Sequence, residues 1–169
     1  MKNIIIISAT SGQNYTLSKD INSLLKELKT SVEIINLEKY DIPLFTASNY
    51  NNIKLNIGKI INNIVTALVS ADGIIICAPE YNGNIPPIVN NMIAWISVCT
   101  PNWRDAFINK ISLIASNSGG AGSKYNISMK NQLEHLGSVV YPRFVCVNDN
   151  NPLNITSVKK ILKDFIKLL

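Results

Sequence analysis

Short runs of β-branched residues recur along this chain, each closed by a small polar or glycine-rich cluster and followed by a longer segment with apolar residues at helical spacing. Ile4-Ile5-Ile6-Ile7-Ser8 and Ile74-Ile75-Ile76-Cys77-Ala78 are unbroken runs, and a strand without polar alternation is one buried on both faces. Such strands need helices above and below the sheet. The alternation therefore predicts an α/β three-layer sandwich around a five-stranded parallel sheet, with five strands in the order 2-1-3-4-5.

The remaining elements follow the same rule. A helix is expected from Tyr15 to Lys29, a second strand from Val32 to Leu37, and a long surface loop from Tyr40 to Asn52 around Pro43. Leu55, Ile57, Ile60, Ile61, Ile64, Ala67 and Leu68 form one apolar stripe of a helix that ends at Asp72-Gly73. Pro86 and Pro87 open the next helix, where first-turn amides need no helical partner. Ile111 to Ser116 reads as the fourth strand, Tyr125 to Leu136 as a helix closed by Gly137, Val139 to Val147 as the fifth strand, and Ile155 to Leu169 as the last helix.

With 169 residues the chain fits one domain, 1–169, around one core. No apolar run approaches the roughly 18 residues that span a bilayer, and the start lacks the pattern of a signal peptide. Three widely spaced cysteines, Cys77, Cys99 and Cys146, fit neither a disulfide framework nor a zinc site. A cytoplasmic protein with no membrane partner is the expectation. The formal charge of +5 comes from lysines scattered over helix faces. Nucleic-acid binding would need a concentrated basic stripe or a recognisable module, and neither is present.

In an open parallel sheet, ligands bind beyond the carboxyl ends of the strands, where the strand order reverses. The ends of strands one, three and four carry the most unusual loops: Ser8-Ala9-Thr10-Ser11-Gly12-Gln13-Asn14-Tyr15-Thr16, Pro79-Glu80-Tyr81-Asn82-Gly83-Asn84, and Ser116-Asn117-Ser118-Gly119-Gly120-Ala121-Gly122. The first places hydroxyls and a glycine ahead of a helix N-terminus, where unpaired amides and the helix dipole favour an anion such as phosphate. Ser11, Asn14 and Thr16 can add side-chain donors; ordinary helix capping is the alternative reading of the same residues. The spacing matches neither G-x-G-x-x-G nor the P-loop, which favours a mononucleotide over a dinucleotide or ATP.

Pro79-Glu80-Tyr81-Asn82-Gly83-Asn84-Ile85-Pro86, followed by Asn91 and Trp95, resembles the P-E-Y-N-x-x-x-P…N…W signature of the NADPH-dependent FMN reductase family. The resemblance extends through Trp103 to Phe107, Lys110, the glycine loop, Leu133 to Gly137, Val139 and Pro142. It implies a flavodoxin-like fold and an FMN cofactor whose ring lies along Pro79, Glu80, Tyr81, Asn82 and Gly83, with Ser116, Asn117, Ser118, Gly119 and Gly120 on its other side. Thr10, Ser11, Gln13, Asn14, Tyr15 and Thr16 of the first loop complete the expected cofactor-binding set.

The reaction so implied is ping-pong: NADPH or NADH reduces the flavin and leaves, and a small acceptor such as a flavin, quinone, azo compound or metal oxyanion takes its place. A homodimer or homotetramer is implied as well, and no side chain is needed as a catalytic acid or base. Where the family carries an arginine in its opening loop, this chain has Ser11, so its loop resembles the neutral T-x-T-G-x-T phosphate loop of flavodoxins instead. Asn90 and Ala94 stand where the family commonly has lysine and aspartate. A flavodoxin-like electron carrier, or a protein that keeps the fold without reductase activity, remains the alternative.

His135, Asp72, Trp95 and Cys77 also invite a chemical reading and are assigned structural roles. His135, the only histidine, falls near a helix end with no nucleophile motif beside it. Asp72 precedes the third strand and Glu80 follows it, so the two carboxylates should lie at opposite ends of the sheet. Trp95 is at helical spacing with Ile88, Met92 and Ile96, as packing or a subunit interface requires, and Cys77 reads as core.

Overall fold

The computed structural model describes the backbone of residues 1–169 and all side chains except those of residues 52–56, 58 and 59. The stripe residue Leu55 lies outside the described side chains. Strands β1 (Asn3–Ser8), β2 (Ser31–Asn36), β3 (Gly73–Cys77), β4 (Ile111–Asn117), β5 (Val139–Val140) and β6 (Val145–Val147) form one sheet, with helices α1 (Gln13–Glu27), α2 (Ala47–Ser70), α3 (Pro87–Cys99), α4 (Ser123–His135) and α5 (Ile155–Ile166). The order is β2-β1-β3-β4-β5, and β6 also pairs β4. All pairings are parallel.

Because successive strand residues face opposite sides, the central strands feed two separate cores. Ile5, Ile7, Ile74 and Ile76 pack with α2, α3 and α4, including Ile61, Ile64, Trp95, Tyr125 and Leu133. Ile4, Ile6, Ile75 and Cys77 pack with α1 and α5 through Leu17, Ile21, Leu25, Leu162 and Phe165. The unbroken isoleucine runs are thus the sequence of a sheet covered twice. Gly73 is required by this arrangement, since a Cβ there would stand 2.7 Å from Leu169 Cδ2 and 2.8 Å from Phe165 Cζ. Lys110 donates from Nζ to the carbonyls of Val69 and Ala71, each at 2.6 Å, and so serves the unpaired end of α2.

Five expectations need correction. The loop expected from Tyr40 to Asn52 is shorter: α2 begins at Ala47, capped by Thr46, whose hydroxyl accepts from the Asn49 amide at 3.0 Å. Polar residues hid this first turn, which has no apolar periodicity of its own. Nor does the preceding segment simply lie on the surface, because Tyr40, Ile42 and Phe45 pack against the core. Trp95 Nε1 donates to the Pro43 carbonyl at 2.7 Å, and Asn91 accepts from the Phe45 amide at 2.7 Å while donating to Pro43 O at 3.0 Å.

The fifth strand is two pieces, β5 and β6, interrupted at residues 141–144. Pro142 has no amide to give to the ladder. The final helix stops at Ile166 rather than Leu169, and α1 begins at Gln13 rather than Tyr15.

Candidate functional site

Ser8, Cys77 and Ala115 are register neighbours on β1, β3 and β4. Ala9 N–H donates to Cys77 O at 2.9 Å, and Ala78 N–H to Ala115 O at 3.1 Å. The three loops therefore leave the sheet at one level and on one edge, where the chain has turned from the β2 side to the β3 side.

In the first loop the Gly12 carbonyl accepts from the amides of Tyr15 and Thr16 at 3.0 and 3.2 Å and so starts α1. Gly12 supplies no capping side chain. The amides of Gln13 and Asn14, at the first two helical positions, have no acceptor among the described residues. Asn14 is buried, and its carboxamide is shared with a neighbouring loop. Its Nδ2 donates to the Asn117 carbonyl and its Oδ1 accepts from the Asn117 amide, both at 2.8 Å. The Cys77 thiol donates to the Asn14 carbonyl at 3.2 Å. Ser11 is held from β2 instead: its hydroxyl accepts from Asn36 Nδ2 at 3.0 Å, and its amide donates to Glu38 Oε2 at 2.5 Å.

The second loop is a two-residue hairpin. Tyr81 and Asn84 exchange backbone bonds at 3.1 and 3.0 Å, with Asn82 at φ 51° and Gly83 at φ 71°. Two successive positive φ values define a type I′ turn, the turn that Asn-Gly favours. Glu80 joins this hairpin to β4 and α4. Its amide donates to Ser118 Oγ at 2.7 Å, and its carboxylate accepts from the amides of Lys124 and Tyr125 at 3.0 and 3.1 Å. The N-terminus of α4, which has no side-chain cap of its own, is thus satisfied from the second loop.

In the third loop Ser116 is fully buried and shares a 2.7 Å hydrogen bond with Ser118. The Ser118 amide donates to Val147 O at 3.1 Å. Gly119 and Gly120 border open space, since a Cβ on either would meet nothing within 4 Å.

Between the loops lies a cleft of about 400 Å³. Thr10, Gly12, Gln13 and Asn14 line it from the first loop, Pro79, Glu80 and Tyr81 from the second, and Asn117, Ser118 and Gly119 from the third. Of the other residues singled out from sequence, Ser11 stands beside the wall on its Glu38 and Asn36 contacts. Tyr15 lies under the ammonium groups of Lys19 and Lys39, at 5.2 and 5.9 Å from its ring centre. Thr16 faces a separate hollow with Leu17, Asp20 and Leu153. Asn82 and Gly83 form the hairpin tip, Gly120 accepts from Asn148 Nδ2 at 3.0 Å, and Ser116 sits behind Ser118.

Sequence reasoning missed Glu38, which also lines the cleft. It sits in a short 3-10 turn, Leu37–Lys39. The available signal was the position of Asn36-Leu37-Glu38 at the carboxyl end of the strand beside β1.

The groups read as structural are placed accordingly. Trp95 is fully buried, with Phe45 edge-on at 5.1 Å. His135 is exposed near Trp103, at 5.4 Å between ring centres. Asp72 accepts from the Asn3 amide at the opposite end of the sheet from Glu80.

Beneath the cleft, burial pushes the Cys77 thiol from 9.0 up to about 12, partly offset by the Ser18 hydroxyl. Burial, and then the nearby Cys77, raise Tyr125 well above its ordinary 10.0. Both acids are held neutral in the fold and ionise more readily once unfolded. The contribution of Cys77 to stability is complete below about pH 9 and is lost as the pH rises through about 12, and that of Tyr125 begins to fall only above its ordinary 10.0. The urea midpoint should therefore fall steadily across that alkaline window, and less steeply in Cys77→Ala. A midpoint that stays level through the window would contradict this account.

Residues 1–151 match the family described as NADPH-dependent FMN reductase. Comparison with curated proteins gave no match. Among solved structures, the flavoenzyme NAD(P)H:(acceptor) oxidoreductase from Paracoccus denitrificans superposes with a TM-score of 0.76 at 16% identity, covering 99% of this chain and 97% of that one. The FMN-dependent NADH-azoreductase of Bacillus anthracis, solved with FMN, gives a TM-score of 0.65 at 18% identity, covering 99% and 96%. A flavodoxin from the domain Archaea gives 0.64 at 16% identity, covering 99% of both chains. At these identities the structural likeness establishes the flavodoxin-like fold, and among the described residues no helix is long and apolar enough to cross a membrane.

Proposed function

From the premise that this chain belongs to the NADPH-dependent FMN reductase family, we propose that it is an FMN-dependent NAD(P)H oxidoreductase acting on a small acceptor: a flavin, quinone, azo compound or metal oxyanion. The observation that carries the proposal is the convergence of three loops, from the ends of β1, β3 and β4, on one cleft bordered by amides without acceptors. A cytoplasmic setting, with its reduced nicotinamide pool, and a homo-oligomer belong to the same reading.

The residues present fit an FMN guest. The amides of Gln13 and Asn14 have no acceptor among the described residues, and Gly119 and Gly120 leave the opposite wall unfilled. Gln13 and Asn14 offer backbone donors at the positive end of α1 to a phosphate. Pro79, Glu80 and Tyr81 would supply one wall for a planar ring, and Ser118 with Gly119 the other. Bound there, FMN would accept electrons from the nicotinamide and pass them to the acceptor. The chain's part is to hold main-chain donors where reduction adds negative charge, and to keep the hairpin fixed through Glu80. No side chain is assigned as acid or base.

The test is purification followed by anaerobic addition of NADPH or NADH. A yellow protein that bleaches rapidly supports the reductase. A flavin that stays oxidised would favour an electron carrier, and a colourless protein that does not take up added FMN would overturn FMN binding altogether.

A further inference from the structure

Ser11 is gripped twice from the end of β2. Asn36 Nδ2 donates to its hydroxyl at 3.0 Å, and the Asn36 Oδ1 accepts from the Glu38 amide at 3.2 Å, which fixes the turn that carries Glu38. The Glu38 carboxylate then accepts from the Ser11 amide at 2.5 Å, within the wall of the same cleft. Glu38 makes no ion pair among the described residues. Two cations of this corner, Lys19 and Lys39, are directed onto the Tyr15 ring. In the first loop itself, residues 8–16, there is no positive side chain.

A carboxylate oxygen on a loop amide and a phosphate oxygen on that amide exclude each other, and the two groups carry charge of one sign. Resting on the FMN reading above, we propose that Glu38 is a specificity-determining residue that selects against the phosphate of the flavin. A phosphorylated flavin must displace the carboxylate from Ser11 and accept its repulsion. A flavin without phosphate meets neither obstacle. The chain therefore discriminates weakly between FMN and riboflavin, and Glu38 is the cause. Its exposed position on a short turn allows the side chain to leave without disturbing a core.

The experiment measures dissociation constants for FMN and for riboflavin by quenching of flavin fluorescence, in the wild type and in Glu38→Gln. Glutamine keeps an oxygen for the Ser11 amide and removes only the charge. Far-UV circular dichroism and the urea midpoint establish that the variant folds. FMN should bind about tenfold more tightly to Glu38→Gln, the size expected when one like-charge contact at a partly solvated site is removed, while riboflavin changes less than about twofold. Equal tightening of both flavins, no change in either, or weaker FMN binding in the variant would overturn the role of Glu38 while leaving FMN binding intact. Failure of the wild type and the variant to bind either flavin would remove the FMN reading and this inference together.

Discussion

Replacing Asn14 by alanine is expected to lower the free energy of unfolding by about 2–4 kcal/mol, because it orphans both backbone groups of Asn117 at once and each such group costs roughly 1–3 kcal/mol. Asn14 is the tie between the start of α1 and the end of β4, with two 2.8 Å bonds from a buried carboxamide. Urea unfolding followed by circular dichroism measures the loss. The same substitution should weaken FMN binding, since two walls of the cleft lose their fixed spacing. Asn14→Asp keeps the acceptor for the Asn117 amide and sets a carboxylate oxygen against the Asn117 carbonyl. It should therefore bind FMN more weakly than the alanine variant. A loss under about 1 kcal/mol in Asn14→Ala would show that the loops are held some other way.

The second large effect concerns Trp95. Truncation to alanine should cost about 3–5 kcal/mol, the range for deleting a large buried aromatic. Trp95→Phe should cost only about 1–2 kcal/mol, mainly the lost bond to Pro43. The two variants also differ in what they release. Trp95 and Asn91 together hold the segment of residues 40–46 against α3, and Phe45 packs edge-on to the indole. Limited proteolysis should cut Trp95→Ala within residues 40–46 at protease levels that leave the wild type whole. Equal resistance in both would assign the segment's anchoring to Asn91 alone.

These two residues show what could be read from the chain and what could not. The strand order and the convergence of three loops were legible because they rest on unbroken isoleucine runs and on glycine and proline positions, which are local signals. Trp95 was legible as buried from its helical spacing, but its partner was not, because a bond to a carbonyl on a loop far earlier in sequence leaves no periodic trace. Asn14 was legible as a polar residue of the first loop. Its engagement with Asn117 depends on β1 and β4 standing one strand apart, so only the folded sheet reveals it. Glu38 escaped for a related reason: attention to the ends of strands one, three and four left out the neighbouring end of β2. The split of the fifth strand was signalled by Pro142, and the first turn of α2 by Thr46, yet both lay within stretches whose overall character suggested something simpler.

That split decides what one margin of the sheet can offer a foreign strand. An outer margin with two strand pieces, Val139–Val140 and Val145–Val147, on either side of a proline offers no continuous row of donors and acceptors for a foreign strand to extend. The opposite margin, β2, is an unbroken strand of six residues, so the interruption closes the sheet to extension on the β5–β6 side alone.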